Sequence, residues 1–262
     1  MTAFPPLWQP VVDELAEWSA LGRQAHLWLR DDDAVAPTSA LDRLSALSAA
    51  HGVPVLVAVI PARAESSLGD YFAGRPLLEP AVHGYAHANH AVSGGKTEEF
   101  PLARGAGVIV AELTRGRDRL CEIFGDRFTG IYVPPWNRIS PAAAALLARA
   151  GFTALSAFGA RALPAAAALP EINTHVDIID WRGNRGGRDH AWLVRELARE
   201  LAAARGAGRT FVGVLTHHLV HDAVAWSFLE SLLEVTAHHP AVRWSRATAL
   251  IKHSAPMAGE EI

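Results

Sequence analysis

Residues 26–33, HLWLRDDD, form an apolar run that ends in three consecutive carboxylates. The apolar half predicts a β-strand, which places Asp31, Asp32 and Asp33 at its carboxyl end. Adjacent carboxylates repel one another and cost stability unless a cation or an arginine compensates. Arg30 alone cannot neutralise all three, so the cluster indicates a functional site. The alternative is a solvated loop ahead of the next helix.

Strand and helix patterns alternate along the chain, which predicts a parallel sheet with helical crossovers. Strands are predicted at 26–29, 53–60, 80–82, 130–133, 152–156, 172–178, 210–215 and 242–244. Helices are predicted at 39–52 with Ser39 as the N-cap, at 108–125, 141–150, 190–205 and 222–237, and from Ser245 onward. No internal repeat or linker divides the sequence, so we expect a single domain over residues 1–262.

Polar clusters at the strand ends decide between two parallel-sheet architectures. Five predicted strands end in unusual polar residues, in the segments RDDD, HGYAH, PPWN, DIIDW and THH. A barrel gathers all carboxyl ends at one mouth, whereas a doubly wound open sheet gathers only those near its switch point. We therefore expect an α/β fold, an irregular (β/α) barrel of about seven strands.

Composition excludes several classes of partner. The formal net charge of −3 gives no electrostatic footprint for nucleic acid, and no Lys/Arg run indicates a membrane surface. The most apolar stretch, 53–60, is too short to span a bilayer. A single cysteine, Cys121, excludes an internal disulfide, and the N-terminus lacks a signal-peptide pattern. We expect a cytoplasmic protein, while the sequence leaves open whether it forms a homo-oligomer.

Three histidines, His83, His87 and His90, crowd the segment AVHGYAHANH. Residues four apart share a face of a helical turn, with Cβ atoms about 5–6 Å apart, so His83 and His87 could reach one metal ion. A polar, His-rich loop is the alternative. One Asp with two His leaves coordination positions open for water and substrate, and a second Asp could act as general base.

A second histidine group lies in THHLVHD, residues 216–222. His217 follows a buried strand, titrates near neutrality and could protonate a leaving group. Asp180 is a candidate partner that would orient it. We interpret His218 and His221 as structural.

The order Asp-Asp, His-x-x-x-His, Pro-Pro-aromatic, Asp-x-x-Asp-Trp and Leu-x-His resembles the polysaccharide deacetylase family. This is the NodB-homology group, or carbohydrate esterase family 4, and the resemblance runs from about residue 26 to residue 221. It implies an irregular (β/α) barrel that hydrolyses N- or O-acetyl groups on sugars with a divalent metal. Zinc is the expected metal, with cobalt, manganese or nickel as alternatives.

The resemblance also implies roles for individual residues. It implies that the metal ligands are Asp33, His83 and His87. It further implies Asp32 as the base that receives a proton from the attacking water, His217 as the acid and Asp180 as its tuning carboxylate. The pocket residues implied are Pro135, Trp136, whose N–H would face the oxyanion, and Trp181, which would form a wall. A register shifted by one, with Asp31 and Asp32, is the alternative.

Several departures from the family pattern qualify this reading. Val133 occupies the place of the arginine that orients the base, for which Arg30 or Arg138 could substitute. His90 has no counterpart. The Gly- and Arg-rich segment 182–190 is either a flexible lid that contacts an anionic or polyhydroxyl substrate or a solvated connector. Alternative functions are a metal-dependent hydrolase of amides or cyclic amides, and a barrel that binds carbohydrate without catalysis.

Overall fold

A parallel sheet forms the centre of the protein in the computed structural model, which describes residues 5–160 and 169–254. Its eight strands in this part of the chain are β1 Ala25–Ala34, β2 Val55–Val59, β3 Leu78–His83, β4 Ile131–Val133, β5 Ala154–Leu155, β6 Val176–Asp177, β7 Phe211–Thr216 and β8 Val242–Trp244. The order is β5-β4-β3-β2-β1-β7-β6, β8 also pairs with β1, and all pairings are parallel.

The two ends of this strand order meet. Parallel bridges from Leu155 to Glu171 and from Phe158 to Thr174 join the end of β5 to the segment that leads into β6. That segment also bonds to β7, where His175 N donates to Gly213 O at 2.7 Å. The sheet therefore curls into a distorted α/β barrel, and the predicted architecture is confirmed.

Helices cover the outside of the sheet. They are α1 Gln9–Ala20, α2 Ser39–His51, α3 Ser67–Ala73, α4 Ala106–Phe124, α5 Pro141–Ala144, α6 His190–Gly206, α7 Ala223–Thr236 and α8 Ala247–Ser254. None of the helices among the described residues combines the length and hydrophobicity that a bilayer-spanning segment requires.

Two helix predictions need correction. The N-cap of α2 is Thr38 and not Ser39, because the Thr38 side chain accepts from Leu41 N at 3.1 Å. The predicted helix over 141–150 is α-helical only as far as Ala144. Beyond it the backbone adds bonds three residues apart, such as Leu146 N to Ala143 O at 3.0 Å, which tighten the chain into turns.

Alternate residues of each strand enter two different cores. Leu27 and Leu29 face the helices, whereas Trp28 packs inside the barrel. The inner core is completed by Leu56, Ala58, Ala81, Ile131, Val133, Ala154 and Ile172 and by Ala247 and Leu250 of α8. Because side chains alternate across a strand, Arg30 and Asp32 share the inward face of β1 with Trp28, and Asp31 points outward.

Candidate metal and catalytic site

A bulge in β1 brings two neighbouring carboxylates into one cavity. Against β2, Asp31 pairs with Val57 and Ala34 with Val59, so β1 contains one residue more than its partner. Asp33, inside this bulge, has a φ of 75°. In a regular strand Asp32 and Asp33 would point to opposite faces. Here both line a cavity of about 980 Å³ at the carboxyl ends of the strands.

The three predicted metal ligands converge in this cavity. Asp33 Oδ1 lies 3.2 Å from His83 Nε2 and 3.6 Å from His87 Nε2. One ligand atom from each residue lies within 4.8 Å of the other two. The structure thus brings together one carboxylate and two imidazoles from β1, β3 and the loop after β3, as the sequence predicts.

The chemistry of these atoms fits a cation. His83 Nδ1 lies 3.1 Å from the carbonyl oxygen of Val133, which only accepts, so Nδ1 carries a proton and Nε2 is the nitrogen that faces Asp33. Asp33 Oδ1 is buried and has no further partner among the described residues. A neutral imidazole nitrogen and a carboxylate oxygen both present lone pairs, so a proton or a metal ion between them is stabilising. The residues therefore fit a divalent metal ion.

The pKa shifts of the same residues are consistent with a cation among them. Burial lowers the pKa of His83, but Asp32 and Asp33 outweigh burial and raise it above its ordinary value. Burial raises the pKa of Asp33, but contact with His83 and the charges of His217 and His87 hold it below the usual range. Burial and the nearby His83 lower the pKa of His87. A cation among these groups is favoured, and His87 is held as a neutral ligand.

The loop that carries His87 is not the predicted helical turn. Gly84 and His87 have φ angles of 62° and 57°, and no helix lies between His83 and His87. Instead, the buried carboxylate of Glu99 accepts hydrogen bonds from the backbone N–H groups of Tyr85 at 2.9 Å and Ala86 at 2.7 Å, and a longer one from Ala88. A Cβ on residue 84 would lie 1.9 Å from Glu99 Oε2, so glycine is required there. Glu99 shapes the ligand loop.

Arg30 takes the place of the missing motif arginine. It donates to both oxygens of Asp32, from Nε at 2.9 Å and Nη2 at 3.0 Å. Its Nη1 also donates to Ser156 Oγ at 2.8 Å, and the side chain is fully buried. Arg138 instead donates to the Thr97 carbonyl at 3.2 Å. Of the two substitutes that the sequence offers for the arginine absent at Val133, Arg30 therefore orients Asp32.

His217 lies beside Asp32 in the cavity. Its Nε2 is 3.8 Å from Asp32 Oδ2, and its ring meets the indole of Trp181 edge-on, with centroids 4.7 Å apart. His217 Nδ1 is buried with no hydrogen-bond partner among the described residues. Nε2 is therefore the ring nitrogen that lies next to the cavity carboxylate Asp32.

The two carboxylates of the DIIDW segment have different surroundings. Asp177 accepts from Trp181 Nε1 at 2.9 Å; burial raises its pKa, and the charge of His217 partly opposes that shift. Asp180 lines the cavity and lies 3.4 Å from Arg188 Nη1. The charge of His217 thus acts on Asp177, a carboxylate that the sequence reasoning did not select.

The predicted pocket residues also surround the cavity. Trp136 lines it and packs against His87, with ring centroids 4.4 Å apart. Trp136 and Asn137 both have φ angles of 55°, a conformation that costs backbone energy. Pro135 is buried beneath them, against Gly84. These residues form the wall next to the ligand set.

Asp31 and the remaining histidines lie outside the cavity. Asp31 accepts from Thr216 Oγ1 at 2.6 Å and from His218 N at 2.9 Å, and its other oxygen pairs with the His218 ring. His221 Nε2 accepts from His217 N at 3.4 Å. His90 is exposed, and its N–H donates to the Glu98 carbonyl. This geometry favours the register in which Asp32 and Asp33, and not Asp31, serve the site.

Comparison with known proteins was made on sequence and on structure. No family model matches the sequence, and no curated protein matches it either. Among solved structures, a protein from Mycobacterium smegmatis assigned to the polysaccharide deacetylases has a TM-score of 0.64 at 18% identity, covering 88% of this chain and 91% of that one. The fold is that of the polysaccharide deacetylases.

Two further structures share the polysaccharide deacetylase fold. A family 4 acetyl xylan esterase from Clostridium thermocellum, in complex with a cobalt ion, has a TM-score of 0.53 at 13% identity, covering 87% of this chain and 90% of that one. A mutant of a CE4 family pseudoenzyme has a TM-score of 0.56 at 12% identity, covering 87% of this chain and 67% of that one. The polysaccharide deacetylase fold therefore hosts both enzymes and a protein described as a pseudoenzyme.

Proposed function

We propose that this chain is a metal-dependent hydrolase that removes acetyl groups from N- or O-acetylated carbohydrate. The observation that carries the proposal is the buried Asp33 Oδ1, which lies 3.2 Å and 3.6 Å from the Nε2 atoms of His83 and His87. A binding barrel has no need to gather a carboxylate and two imidazoles at one point in this way. The neighbouring structures named for family 4 esterases support the same reaction class.

Asp33, His83 and His87 would hold the metal, which we propose is zinc, with cobalt, manganese or nickel as alternatives. A bound divalent ion lowers the pKa of water to about 7 and polarises an acyl oxygen. The hydrogen bond from His83 Nδ1 to Val133 O fixes the ring so that Nε2 would be the ligand atom for a bound metal.

Asp32 is the proposed general base. Two hydrogen bonds from Arg30 fix the orientation of its carboxylate. A base held in this way accepts a proton from the attacking water without first having to reorient.

His217 is the proposed general acid, which donates its proton to the leaving nitrogen or oxygen as the bond to the acyl carbon breaks. We propose Asp180 as the carboxylate that tunes His217, as the sequence suggests, and Asp177 is a second carboxylate near the same ring. The indole of Trp181 packs edge-on against the His217 ring. The Trp136 N–H is proposed to face the oxyanion.

The alternative hydrolase of cyclic amides rested on the arginine missing at position 133. Arg30, on another strand, donates two hydrogen bonds to Asp32 and so orients it. The missing arginine at position 133 therefore no longer favours a different reaction. The non-catalytic alternative has the pseudoenzyme as a precedent for the fold, but here the proposed base, acid and ligand set are all present.

The test combines metal analysis with hydrolysis. Purified protein reconstituted with zinc should bind about one ion per chain and release acetate from acetylated sugars. Asp33→Ala should lose both metal and activity, while Asp32→Asn should keep the metal and lose about 10²–10⁴-fold in kcat. Asp13→Asn, an exposed change on α1, is the control. Equal metal content in Asp33→Ala and wild type would overturn the ligand assignment.

A further inference from the structure

We propose that the substrate carries an anionic group, a carboxylate or a phosphate, near the acetylated position. This inference rests on the proposed function, because it assumes that the acyl group enters the cavity described above. The residues that point to it are four arginines that line the same cavity, Arg138, Arg182, Arg185 and Arg188.

Four aspartates also line the cavity, but only one of these arginines, Arg188, pairs with any of them. Asp32 is paired with Arg30 beneath it, Asp33 belongs to the ligand set, and Asp177 accepts from Trp181 and from backbone. Asp180 lies 3.4 Å from Arg188. In the described part of the chain, no ion pair joins a carboxylate to Arg138, Arg182 or Arg185. Three guanidinium groups are thus left to face the cavity.

This positive charge is local. The whole chain has 27 acidic against 24 basic residues and a formal net charge of −3, so its composition does not favour a basic surface. A divalent ion among the ligands would add further positive charge to the cavity. Arginines without an ion-pair partner in a concave site attract ligands of the opposite charge.

The segment that carries three of the arginines is positioned by specific contacts. Asp180 N donates to Gly186 O at 2.8 Å, and Gly187 N donates to Asp222 Oδ1 at 3.1 Å, next to the first turn of α7. A Cβ on residue 187 would lie 2.4 Å from Ala225 N, so the glycine permits this close approach. These contacts fix the backbone of the segment against α7, so the arginines project from a defined location.

Two strand ends contribute to the cluster. Arg138 follows β4 and is anchored by its bond to the Thr97 carbonyl, whereas the other three arginines follow β6. The Nε of Arg188 is buried with no hydrogen-bond partner among the described residues, and its guanidinium packs over the Trp192 ring at 4.8 Å. Guanidinium groups bind planar carboxylates and phosphates through paired hydrogen bonds. A neutral acetylated sugar offers these donors hydroxyl and carbonyl oxygens but no charged, paired acceptor.

The experiment compares three sugars that differ only at carbon 6. These are N-acetylglucosamine, its 6-carboxylate and its 6-phosphate. With zinc-loaded enzyme, we expect kcat/KM to be at least about tenfold higher for one or both anionic sugars, mainly through KM and decreasing with added salt. The ratio between the two anionic sugars identifies which group is bound. A preference for the neutral sugar would overturn the proposal.

The double variant Arg182→Gln/Arg185→Gln should lose about tenfold in kcat/KM on the preferred anionic sugar and keep its rate on the neutral one. The control, Arg149→Gln/Arg195→Gln, makes the same change in net charge at exposed positions outside the cavity and should change neither rate. An equal loss on all three sugars would contradict anion recognition.

Calorimetry separates this inference from the proposed function. The Asp32→Asn protein, which we expect to bind without turnover, is titrated with the same three sugars, with and without the double arginine change. Arginine-dependent binding of an anionic sugar without hydrolysis by the wild type would support the anion site and reject the deacetylase. Hydrolysis with equal affinity for all three sugars would support the deacetylase and reject the anion site.

Discussion

Arg30 and Asp32 lie two residues apart on the inward face of β1, and two hydrogen bonds of 2.9 Å and 3.0 Å join their side chains. Neither side chain is more than 2% exposed. The proposed base and the arginine that orients it therefore belong to a single strand. Arg30 is held in turn by Ser156 and by Asn137, which follow β5 and β4, so the neighbouring strands support the arginine and not the carboxylate directly.

The first prediction concerns this buried pair. Arg30→Met should destabilise the protein by about 3–5 kcal/mol, because it leaves the Asp32 carboxylate buried without its partner. Adding Asp32→Asn should recover at least about 1 kcal/mol of that loss. Urea unfolding of the wild type, both single variants and the double variant measures the coupling.

The exposed ion pair of Arg43 with Glu230, at 2.8 Å, provides the control cycle. Its coupling should lie within about 0–1 kcal/mol, because water screens both charges. Additive effects of Arg30→Met and Asp32→Asn would show that the buried pair is not energetically coupled.

The second prediction concerns the loop that carries His87. Glu99→Gln should lower zinc affinity about 10–100-fold, because the amide cannot accept from three backbone N–H groups as the carboxylate does. Gly84→Ala should have a similar effect through the clash with Glu99. Competition with a chromophoric chelator gives the affinities. Glu98→Gln, one residue away, should bind zinc like the wild type.

The third prediction separates proton donation by His217 from other roles. His217→Ala should lower kcat about 10²–10⁴-fold on an N-acetyl sugar, whose amine must be protonated as it leaves. On p-nitrophenyl acetate, whose leaving group needs no proton, the loss should be much smaller. Zinc content should not change. Equal losses on both substrates would exclude the general-acid role.

The fourth prediction concerns pH and His175, which lies in the segment before β6 and is 6% exposed. Burial, and to a lesser extent Arg209, lower its pKa from 6.5 to about 4. Both ring nitrogens face donors, Arg209 Nη1 at 3.0 Å and Gly213 N at 3.1 Å, so a protonated ring is disfavoured.

The unfolded chain therefore binds more protons than the folded one between these two pKa values. The contribution of His175 to stability is present above pH 6.5 and is lost as the pH falls toward 4. It amounts to about 3 kcal/mol at most. Urea unfolding at several pH values should show that the free energy of unfolding falls less steeply with decreasing pH in His175→Gln than in wild type. His51→Gln, at the end of α2, should retain the wild-type dependence of the free energy of unfolding on pH. The same dependence in His175→Gln would contradict the lowered pKa assigned to His175.

Strand positions and the convergence of Asp33, His83 and His87 could be predicted because they depend on local patterns. The run 53–60 contains all of β2, and the polar residues after β1, β3 and β7 do meet at one mouth. His83 and His87 converge as their spacing suggests, although through a loop and not through a helical turn. The fold class follows from the alternation of strands and helices.

Long-range contacts account for what the sequence did not reveal. Glu99 lies in an acidic stretch with no motif, and its role appears only when the chain folds it against Tyr85 and Ala86. Asp177 and Asp180 are both plausible partners of His217 until their surroundings are known. The bulge at Asp33 has no glycine to mark it.

That bulge has a consequence for how the protein can diversify. The proposed base and one metal ligand are consecutive residues of a buried strand, so a single peptide unit sets the distance between them. Loops around the mouth can lengthen, shorten or change charge without altering that distance. New substrate preferences can therefore evolve in the surrounding segments while the spacing of the reacting groups stays constant.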